Sequence, residues 1–246
     1  MKNNIEQKRE SIKLDKPFEK PKIARVIQLT GIRKTIAERL SYSHRTIPSA
    51  TLLLDANVEK LSEFREDFEK KIGQKISFTA FIAKAVALAL KNHSMLNSSI
   101  ENDQVNIYED INISIAIGTP NGLVAPAVFN VDKKNVLEIS NEIKRLTENA
   151  KAGNLKLVEL VGGTFTITNL GAIGVEAFIP LVNPPQTAII GFGTVVMKPV
   201  VADNNIAIAP TVTLSLVFDH RVVDGVPASL FLKEVNNLLE NPHTLE

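Results

Sequence analysis

The sequence contains no cysteine and no tryptophan among its 246 residues. The absence of cysteine excludes disulfide bonds, a thiolate nucleophile, cysteine-ligated zinc and iron–sulfur clusters. Only 5% of the residues are aromatic, so we expect no stacking platform for single-stranded nucleic acid. Charge is nearly balanced, with 28 basic and 27 acidic residues, so no global field favours binding to nucleic acid or to an anionic membrane.

Long hydrophobic runs are also missing. The longest apolar stretches lie within 79–90 and 211–218, and both are shorter than the roughly 18 residues that a membrane-spanning helix needs. The first 22 residues are rich in Lys, Glu and Asn and contain no apolar signal region. We therefore expect no membrane insertion, a linker or disordered tail over 1–22, and one domain over 23–246.

The spacing of apolar residues predicts helices and strands in an irregular order. The predicted helices are 30–40, 57–71, 79–91, 135–150 and 227–240, and the predicted strands are 50–55, 111–117, 123–128, 162–168, 187–190, 195–198 and 206–218. Strict alternation in 111–117 predicts a half-buried strand, Pro126 predicts an edge strand or a bulge, and Pro227 predicts the first helical residue of the last helix. Because helices and strands do not alternate regularly, the pattern favours an α+β fold with a two-layer mixed sheet.

His220 differs from the other histidines in its surroundings. It follows the apolar run 211–218 and lies in Asp219-His-Arg-Val-Val-Asp-Gly, ahead of a glycine turn and the last helix. A histidine at a strand end is held rigidly and exposed where clefts form, so His220 is a candidate for acid–base chemistry. An alternative gives the segment a structural role, in which Asp219, Arg221 and Asp224 pair with one another and Asp224 caps the last helix.

Other short motifs are less informative. Gly191-Phe-Gly-Thr lacks the third glycine of a dinucleotide-binding loop, and neither a phosphate-binding loop nor a Gly-x-Ser-x-Gly elbow is present. The threonines of Thr164-Phe-Thr-Ile-Thr share one strand face, and the simplest interpretation is a solvated face. No metal site is expected, since the remaining histidines have no metal-binding spacing and suit surface or helix-end positions: His44, His93 and His243.

Several segments together resemble a known family. Asp219-His-Arg-Val-Val-Asp-Gly resembles the His-x-x-x-Asp-Gly signature of the dihydrolipoamide acyltransferases, the core components of 2-oxo acid dehydrogenase complexes. Further family motifs are matched, in order, by Thr35-Ile-Ala-Glu-Arg-Leu, Thr46-Ile-Pro, Thr119-Pro-Asn-Gly-Leu-Val, Gly162-Gly-Thr-Phe-Thr-Ile-Thr-Asn-Leu-Gly and Leu239-Glu-Asn-Pro. The resemblance runs from about Arg25 to Pro242 and implies the fold of chloramphenicol acetyltransferase.

The resemblance implies roles for individual residues. His220 would be the general base that takes the proton from the thiol of coenzyme A or, in reverse, of dihydrolipoamide. Thr168 stands where the family carries a hydroxyl that stabilises the tetrahedral oxyanion, and Asp224 would hold the loop and the surroundings of the imidazole. Besides Thr168, the family's coenzyme A positions carry over to Arg65, Ser77, Asn169, Gly193 and Val195. The chain departs from some members at Gly118, where they carry aspartate, and at Thr147, where they carry glutamine.

The resemblance also implies partners. Catalytic domains of the family form homotrimers, in which the histidine of one chain faces the hydroxyl of the next, and the trimers assemble into hollow cores. We expect the lipoyl group to be supplied by a lipoyl domain that this chain lacks, and we expect the dehydrogenase components as partners. The expected location is the cytoplasm or the mitochondrial matrix. No nucleic acid or membrane partner is expected.

The substrate is less closely defined by the sequence. Asn169-Leu-Gly-Ala-Ile-Gly favours acetyl or branched-chain acyl groups over succinyl. Two alternatives remain at this point, a chloramphenicol-type O-acetyltransferase and a non-catalytic assembly scaffold. The matches to Thr35-Ile-Ala-Glu-Arg-Leu and Thr119-Pro-Asn-Gly favour the lipoamide branch over the first. The presence of His220, Thr168 and Asp224 argues against the second.

Overall fold

The structure is a computed structural model that describes residues 21–120, 122–202 and 204–245. Its helices are α1 Gly31–Thr46, α2 Glu59–Ile72, α3 Phe78–Leu90, α4 Val136–Ala152, α5 Leu157–Val161 and α6 Gly225–Glu240. Its strands are β1 Ser49–Asn57, β2 Ser98–Glu101, β3 Gln104–Ile107, β4 Ile113–Ile115, β5 Ile117–Thr119, β6 Gly122–Val124, β7 Ala127–Val128, β8 Phe165–Asn169, β9 Ala188–Phe192, β10 Val196–Ala202 and β11 Asn205–Asp219. None of the described helices is both long and apolar enough to cross a bilayer.

Seven of the described strands form one mixed sheet. Six follow the order β1-β11-β9-β8-β4-β7, and β10 pairs with the first half of β11. Strands β4, β8 and β9 are parallel to one another, whereas β11 is antiparallel to β9. The carboxyl ends of the three parallel strands therefore lie at one edge of the sheet, and the carboxyl end of β11 lies at the opposite edge. The predicted α+β class with a mixed sheet is confirmed.

The hydrophobic core lies between the sheet and helices α3, α4 and α6. All residues of α3 except Phe78 and Leu88 are buried, as its nearly continuous apolar sequence predicts. Phe165 of β8 and Phe231 of α6 are fully buried, with ring centroids 5.9 Å apart. The amphipathic α4 begins with Asn135 and Glu138 in a capping box, so its start is fixed locally while its apolar face packs on the core.

The prediction of a half-buried strand over 111–117 is wrong. The regular strand β4 covers only Ile113–Ile115, and the polar residues Asn112 and Ser114 of this segment are buried along with the apolar ones. Asn112 Nδ2 donates to the carbonyl oxygen of Gly162 at 2.9 Å, and Gln186 Nε2 donates to Ser114 Oγ at 3.5 Å. Alternation marks two chemically different faces, and here the polar face is buried and hydrogen-bonded.

The threonine face of β8 is likewise buried in part, which contradicts a solvated face. Thr164 and Thr166 are buried. Thr166 Oγ1 donates to Gln186 Oε1 at 2.5 Å and accepts from Asn183 Nδ2 at 3.3 Å. The segment 182–186 therefore covers this face of the sheet, and it is fastened to α1 by Ser43 Oγ, which donates to the carbonyl oxygen of Val182.

Several boundaries also differ from the predictions. The segment 123–128 forms two short strands, β6 and β7, separated at Pro126, and β7 is an edge strand of the sheet. Helix α6 begins at Gly225 with Asp224 as its N-cap residue, so Pro227 is the third helical residue and not the first. Helix α5 and the β2–β3 hairpin were not predicted. Strands β5 and β6 pair as an antiparallel hairpin. Asn121 between them lies outside the described residues, as does the tail apart from 21 and 22.

Candidate active site

His220 lies directly after β11, on a loop that leads into α6. Its backbone N–H donates to the carbonyl oxygen of Pro48 at 3.0 Å, and its ring centroid is 5.8 Å from that of Phe218. The side chain is 49% exposed, and its Nδ1 lies 3.8 Å from Asp224 Oδ1, beyond hydrogen-bond distance. The backbone of this histidine is fixed while its imidazole faces the surface, as the sequence predicts.

The residues on either side of His220 hold the loop. Asp219 is fully buried, and its carboxylate accepts hydrogen bonds from the backbone N–H of Arg221 at 3.0 Å, from Nε at 3.0 Å and from Nη2 at 2.6 Å. This pairing raises the pKa of Arg221 above its usual value. The carbonyl oxygen of Asp219 also accepts from the backbone N–H groups of Val222 and Val223. The alternative interpretation, in which the charged residues of this segment pair with one another, therefore applies to Asp219 and Arg221.

Asp224 does not join that cluster. Its side chain is 86% exposed, and it occupies the N-cap position of α6 without a side-chain hydrogen bond to the helix. Its nearest ionic neighbour among the described residues is the imidazole of His220. Asp224 thus shares the exposed surface of this edge with the histidine.

The opposite edge carries the carboxyl ends of β8 and β9. Asn169 Oδ1 accepts from the backbone N–H of Gly171 at 2.7 Å, and Asn169 Nδ2 donates to Thr79 Oγ1 at 3.4 Å. Thr79 lies in the first turn of α3, directly after Phe78 and the N-cap residue Ser77. Asn169 therefore connects the end of β8 to the start of α3.

Glu69, which the sequence did not indicate as a site residue, joins Arg65 to the residue that precedes Ser77. Glu69 Oε1 accepts from Arg65 Nε at 3.0 Å and from the backbone N–H of Ile76 at 2.8 Å. The bond from Ile76 and the pairing with Arg65 lower the pKa of the Glu69 carboxyl. The i, i+4 spacing of Arg65 and Glu69 indicates an ion pair on α2, whereas no sequence signal indicates the backbone contact.

Gly193 and Val195 follow β9 at the same edge. A Cβ atom at Gly193 would lie 1.8 Å from the carbonyl oxygen of Glu176, so the chain leaves no room for a side chain there. Val195 is partly exposed, and the intervening Thr194 donates its backbone N–H to the carbonyl oxygen of Val175. The backbone of 193–195 is therefore held against 175–176.

The two departures from the family pattern differ in their surroundings. Gly118 lies in β5, which follows β4 at this same edge, and a Cβ atom there would meet nothing within 4 Å. Thr147 lies on α4 and donates its hydroxyl to the carbonyl oxygen of Ile143 in its own helix. The position of Gly118 therefore has room for a larger side chain, while the hydroxyl of Thr147 is already used.

Thr168 and His220 are not brought together within one chain. The strand register places Thr168 beside Gly191, and Gly191 beside Ser215 on β11. His220 lies five positions after Ser215, which corresponds to roughly 17 Å along the strand. Within the described chain, no partner is recorded for the Thr168 hydroxyl, and no group of three potential metal ligands occurs.

The chain matches the family model described as 2-oxoacid dehydrogenases acyltransferase (catalytic domain) over residues 21–246. It is 38% identical to the dihydrolipoyllysine-residue acetyltransferase component of the pyruvate dehydrogenase complex from Acholeplasma laidlawii, over 89% of this chain and 41% of that protein. It is 36% identical to the acetyltransferase component of the acetoin cleaving system of Bacillus subtilis, over 98% and 60%. It is 39% identical to the mitochondrial succinyltransferase component of the 2-oxoglutarate dehydrogenase complex of Saccharomyces cerevisiae, over 93% and 50%.

Solved structures give the same grouping. A dihydrolipoamide acetyltransferase from Azotobacter vinelandii superposes with a TM-score of 0.86 at 30% identity, over 92% of this chain and 98% of that chain. The cubic core of a pyruvate dehydrogenase multienzyme complex gives 0.85 at 31% identity, with the same coverage. A chloramphenicol acetyltransferase gives 0.52 at 14% identity, over 87% and 99%, which shows the shared fold alone.

The curated relatives are longer than this chain, which spans 41–60% of their lengths. The family match, in contrast, covers the whole described part of the chain. The sequence motifs, the mixed sheet and the structural neighbours agree with one another. The chain therefore belongs to the catalytic-domain family of the 2-oxoacid dehydrogenase acyltransferases, as its motifs predict.

Proposed function

We propose that this chain transfers an acyl group between the thiols of dihydrolipoamide and coenzyme A, as a catalytic core of a 2-oxo acid dehydrogenase complex. The catalytic domain in this proposal is 23–246. The observation that carries it is the exposed His220 on a loop fixed by the buried Asp219. An acyl transfer between thiols needs one accessible base and one donor for the oxyanion, and the chain presents both.

The spacing of the proposed catalytic residues supports the assignment. The Azotobacter vinelandii structure comes from an investigation of a serine, a histidine and an asparagine in the catalytic mechanism of that protein, with the serine 52 residues before the histidine and the asparagine four residues after it. The same two spacings separate His220 from Thr168 and from Asp224 in this chain. Thr168 retains the hydroxyl, and Asp224 replaces an amide with a carboxylate.

In the proposed mechanism His220 takes the proton from the attacking thiol. Between a free thiol with a pKa of about 8.5 and a free imidazole with a pKa of about 6.5 in water, such a transfer is uphill by ~2.7 kcal/mol. The thiolate sulfur then bonds to the thioester carbonyl carbon, and the carbonyl oxygen becomes an oxyanion. Thr168 donates its hydroxyl to that oxygen, an interaction worth about 3 kcal/mol. When the carbonyl re-forms, the other sulfur leaves and takes the proton from His220.

The edge that carries Thr168 is the proposed binding site for coenzyme A. Arg65 supplies a guanidinium for a phosphate group, and Asn169 joins the end of β8 to the start of α3 near Ser77. Gly193 lets the backbone after β9 lie directly against 175–176, and Val195 gives the site a partly exposed apolar residue. Binding at the carboxyl ends of parallel strands is typical of sheets of this kind.

We also propose that the functional unit is a homotrimer whose active sites lie between chains. Within one chain, Thr168 and His220 lie at opposite edges of the sheet. Among the described residues, two further apolar surfaces are exposed in the single chain. The extended segment 21–30 exposes Ile23, Val26, Ile27 and Leu29, and one face of the β10–β11 ribbon exposes Met197, Val201, Ile206 and Ile208. Exposed apolar surfaces of this extent mark interfaces, and a second copy would bring the missing half of each site.

Larger assembly and the remaining partners follow from the same proposal. The cubic core among the structural neighbours supports assembly of such trimers into a hollow core. The lipoyl group would be presented by a lipoyl domain, and the dehydrogenase components would supply the acyl group.

Two acetyltransferases among the relatives support acetyl as the acyl group. Transfer rates measured with acetyl-, isobutyryl- and succinyl-coenzyme A would test this choice. The chloramphenicol-type alternative has only the fold in its support.

The decisive experiment combines two inactive variants in one assembly. His220→Ala and Thr168→Ala chains are unfolded together, refolded and assayed for transfer from acetyl-coenzyme A to dihydrolipoamide. If each site is shared, random mixing gives about a quarter of the interfaces an intact His220 and an intact Thr168, and about a quarter of the wild-type rate returns. Activity no higher than that of the separately refolded variants would contradict the shared site. A wild-type protein without transfer would contradict the function itself.

A further inference from the structure

Arg65 is held through one nitrogen of its guanidinium group. Its Nε donates to Glu69 Oε1 at 3.0 Å, and the side chain is 35% exposed. Within the described chain, no partner is recorded for its two terminal nitrogens. Arginine binds phosphate through a planar fork of donors. The contact with Glu69 uses the inner nitrogen and leaves the terminal ones for a ligand.

Glu69 is itself fixed by the backbone. The same carboxylate oxygen accepts the backbone N–H of Ile76 at 2.8 Å, and Ile76 is buried immediately before the N-cap residue of α3. The Glu69 side chain is only 19% exposed. The turn between α2 and α3 therefore sets the position of the Glu69 carboxylate. This position does not depend on the contact with Arg65.

The local charges still favour an anion. Glu69 contributes one negative charge, while Arg65 and the exposed Lys75 contribute two positive charges, and both interact favourably with the carboxylate. The net charge of the three groups is +1. A phosphate dianion is attracted to such a group, whereas an arginine neutralised by a carboxylate alone would attract it weakly.

We propose that Glu69 is a positioning residue for coenzyme A, which holds Arg65 so that its two terminal nitrogens bind a phosphate of the adenosine diphosphate portion. The inference rests on the proposed function, since Arg65 is assigned to coenzyme A there. A long side chain loses rotamer freedom when it binds a ligand, and prior fixation by Glu69 removes part of that loss. We expect the effect on coenzyme A affinity to be about fivefold to tenfold.

The test compares Michaelis constants in full-length variants. Glu69→Ala should raise KM for acetyl-coenzyme A about fivefold to tenfold, with kcat and KM for dihydrolipoamide unchanged. Glu69→Gln, which still accepts N–H bonds, should recover most of the affinity. In an Arg65→Met background, Glu69→Ala should add no further increase, because a positioning residue acts through the residue it holds. Asp67→Ala is the matched control, as it removes an exposed ion pair with Lys70 on the same helix.

Thermal unfolding of each variant separates positioning from stability. If Glu69→Ala lowers Tm and leaves KM for acetyl-coenzyme A unchanged, Glu69 is structural and the inference is overturned. An effect of Glu69→Ala that persists in the Arg65→Met background, or a lower KM in Glu69→Ala, would overturn it as well. Wild-type protein that neither transfers acyl groups nor binds coenzyme A would overturn the proposed function, whereas an active wild type with unchanged Glu69→Ala kinetics would overturn this inference alone.

Discussion

The two edges of the central sheet carry different halves of the proposed site and are built differently. At the edge where β11 ends, His220 and Asp224 are largely exposed, and only the loop beneath them is fixed, through the buried Asp219. At the edge where β8 and β9 end, Asn169 is hydrogen-bonded on both sides and Gly193 packs against backbone. The edge where β11 ends, here called the exposed edge, presents His220 to its surroundings. The edge where β8 and β9 end, here called the shaped edge, is held in place by contacts within its own chain.

This difference indicates where the missing contacts lie. A base that works in acyl transfer needs a substrate and an oxyanion donor close to it. Within the described chain, the proposed donor Thr168 lies roughly 17 Å from His220 along the strands. The shaped edge, in contrast, holds the residues proposed for coenzyme A together through hydrogen bonds. A neighbouring copy would complete the exposed edge by placing its shaped edge against it.

The largest effect is expected from His220→Ala. Loss of the general base should lower the transfer rate about 10³-fold. Because the side chain is exposed and makes no recorded hydrogen bond, the free energy of unfolding should change by no more than about 0.5 kcal/mol. Steady-state transfer from acetyl-coenzyme A to dihydrolipoamide and thermal unfolding measure the two quantities. An unchanged transfer rate in His220→Ala would show that the exposed edge is not part of the active site.

Thr168→Ala should have the next largest effect. Removing one oxyanion donor lowers the rate about 10²-fold, while Thr168→Ser keeps the hydroxyl and should retain most of the activity. Rates at saturating concentrations of both substrates distinguish this from weaker binding. If serine and alanine were equally inactive, the packing of the threonine methyl group and not its hydroxyl would be responsible, and the two edges would no longer form one site.

Local sequence patterns predicted the helices well and the burial of strands poorly. The apolar character of α3 and the spacing in α4 depend on neighbours within the same helix. The burial of Asn112 and Ser114 depends on Gly162 and Gln186, which lie at least 50 residues away along the chain. A pattern of alternation cannot show that a distant segment covers the polar face.

The residues of the candidate site likewise differ in whether local sequence can identify them. His220 could be identified because a strand end, a charged cluster and a glycine turn are adjacent in the sequence. Glu69 could not be assigned a role, because its second partner is the backbone N–H of Ile76, and a backbone donor has no sequence signal. The separation of His220 from Thr168 depends on the order and direction of strands, which arises from non-local pairing.

A glycine on each edge tests the difference in packing directly. Gly193→Ala places a Cβ atom 1.8 Å from the carbonyl oxygen of Glu176, and backbone cannot move aside as a side chain can. We expect it to lower the free energy of unfolding by about 1–3 kcal/mol. Gly225→Ala at the His220 edge meets nothing within 4 Å and should stabilise α6 by about 0.5–1 kcal/mol.

Denaturant unfolding of both glycine variants gives the two values side by side. The helix propensity of alanine explains the gain at Gly225, since this residue is the first of α6. Equal destabilisation by Gly193→Ala and Gly225→Ala would show that the exposed edge is packed as tightly in the assembled protein as the shaped edge is in the single chain. The contrast between the two edges would then belong to the isolated chain only.

The smallest effect is expected from Asp224→Asn. The carboxylate is exposed and lies 3.8 Å from the imidazole, so it forms a surface ion pair of little energy at most. Asparagine is also as good an N-cap residue as aspartate, so the start of α6 is preserved. We therefore expect kcat to fall no more than about fivefold and Tm to stay unchanged. A loss of a hundredfold without a change in Tm would contradict this expectation and show that the carboxylate acts in the reaction, through the His220 imidazole or through a group of the neighbouring copy.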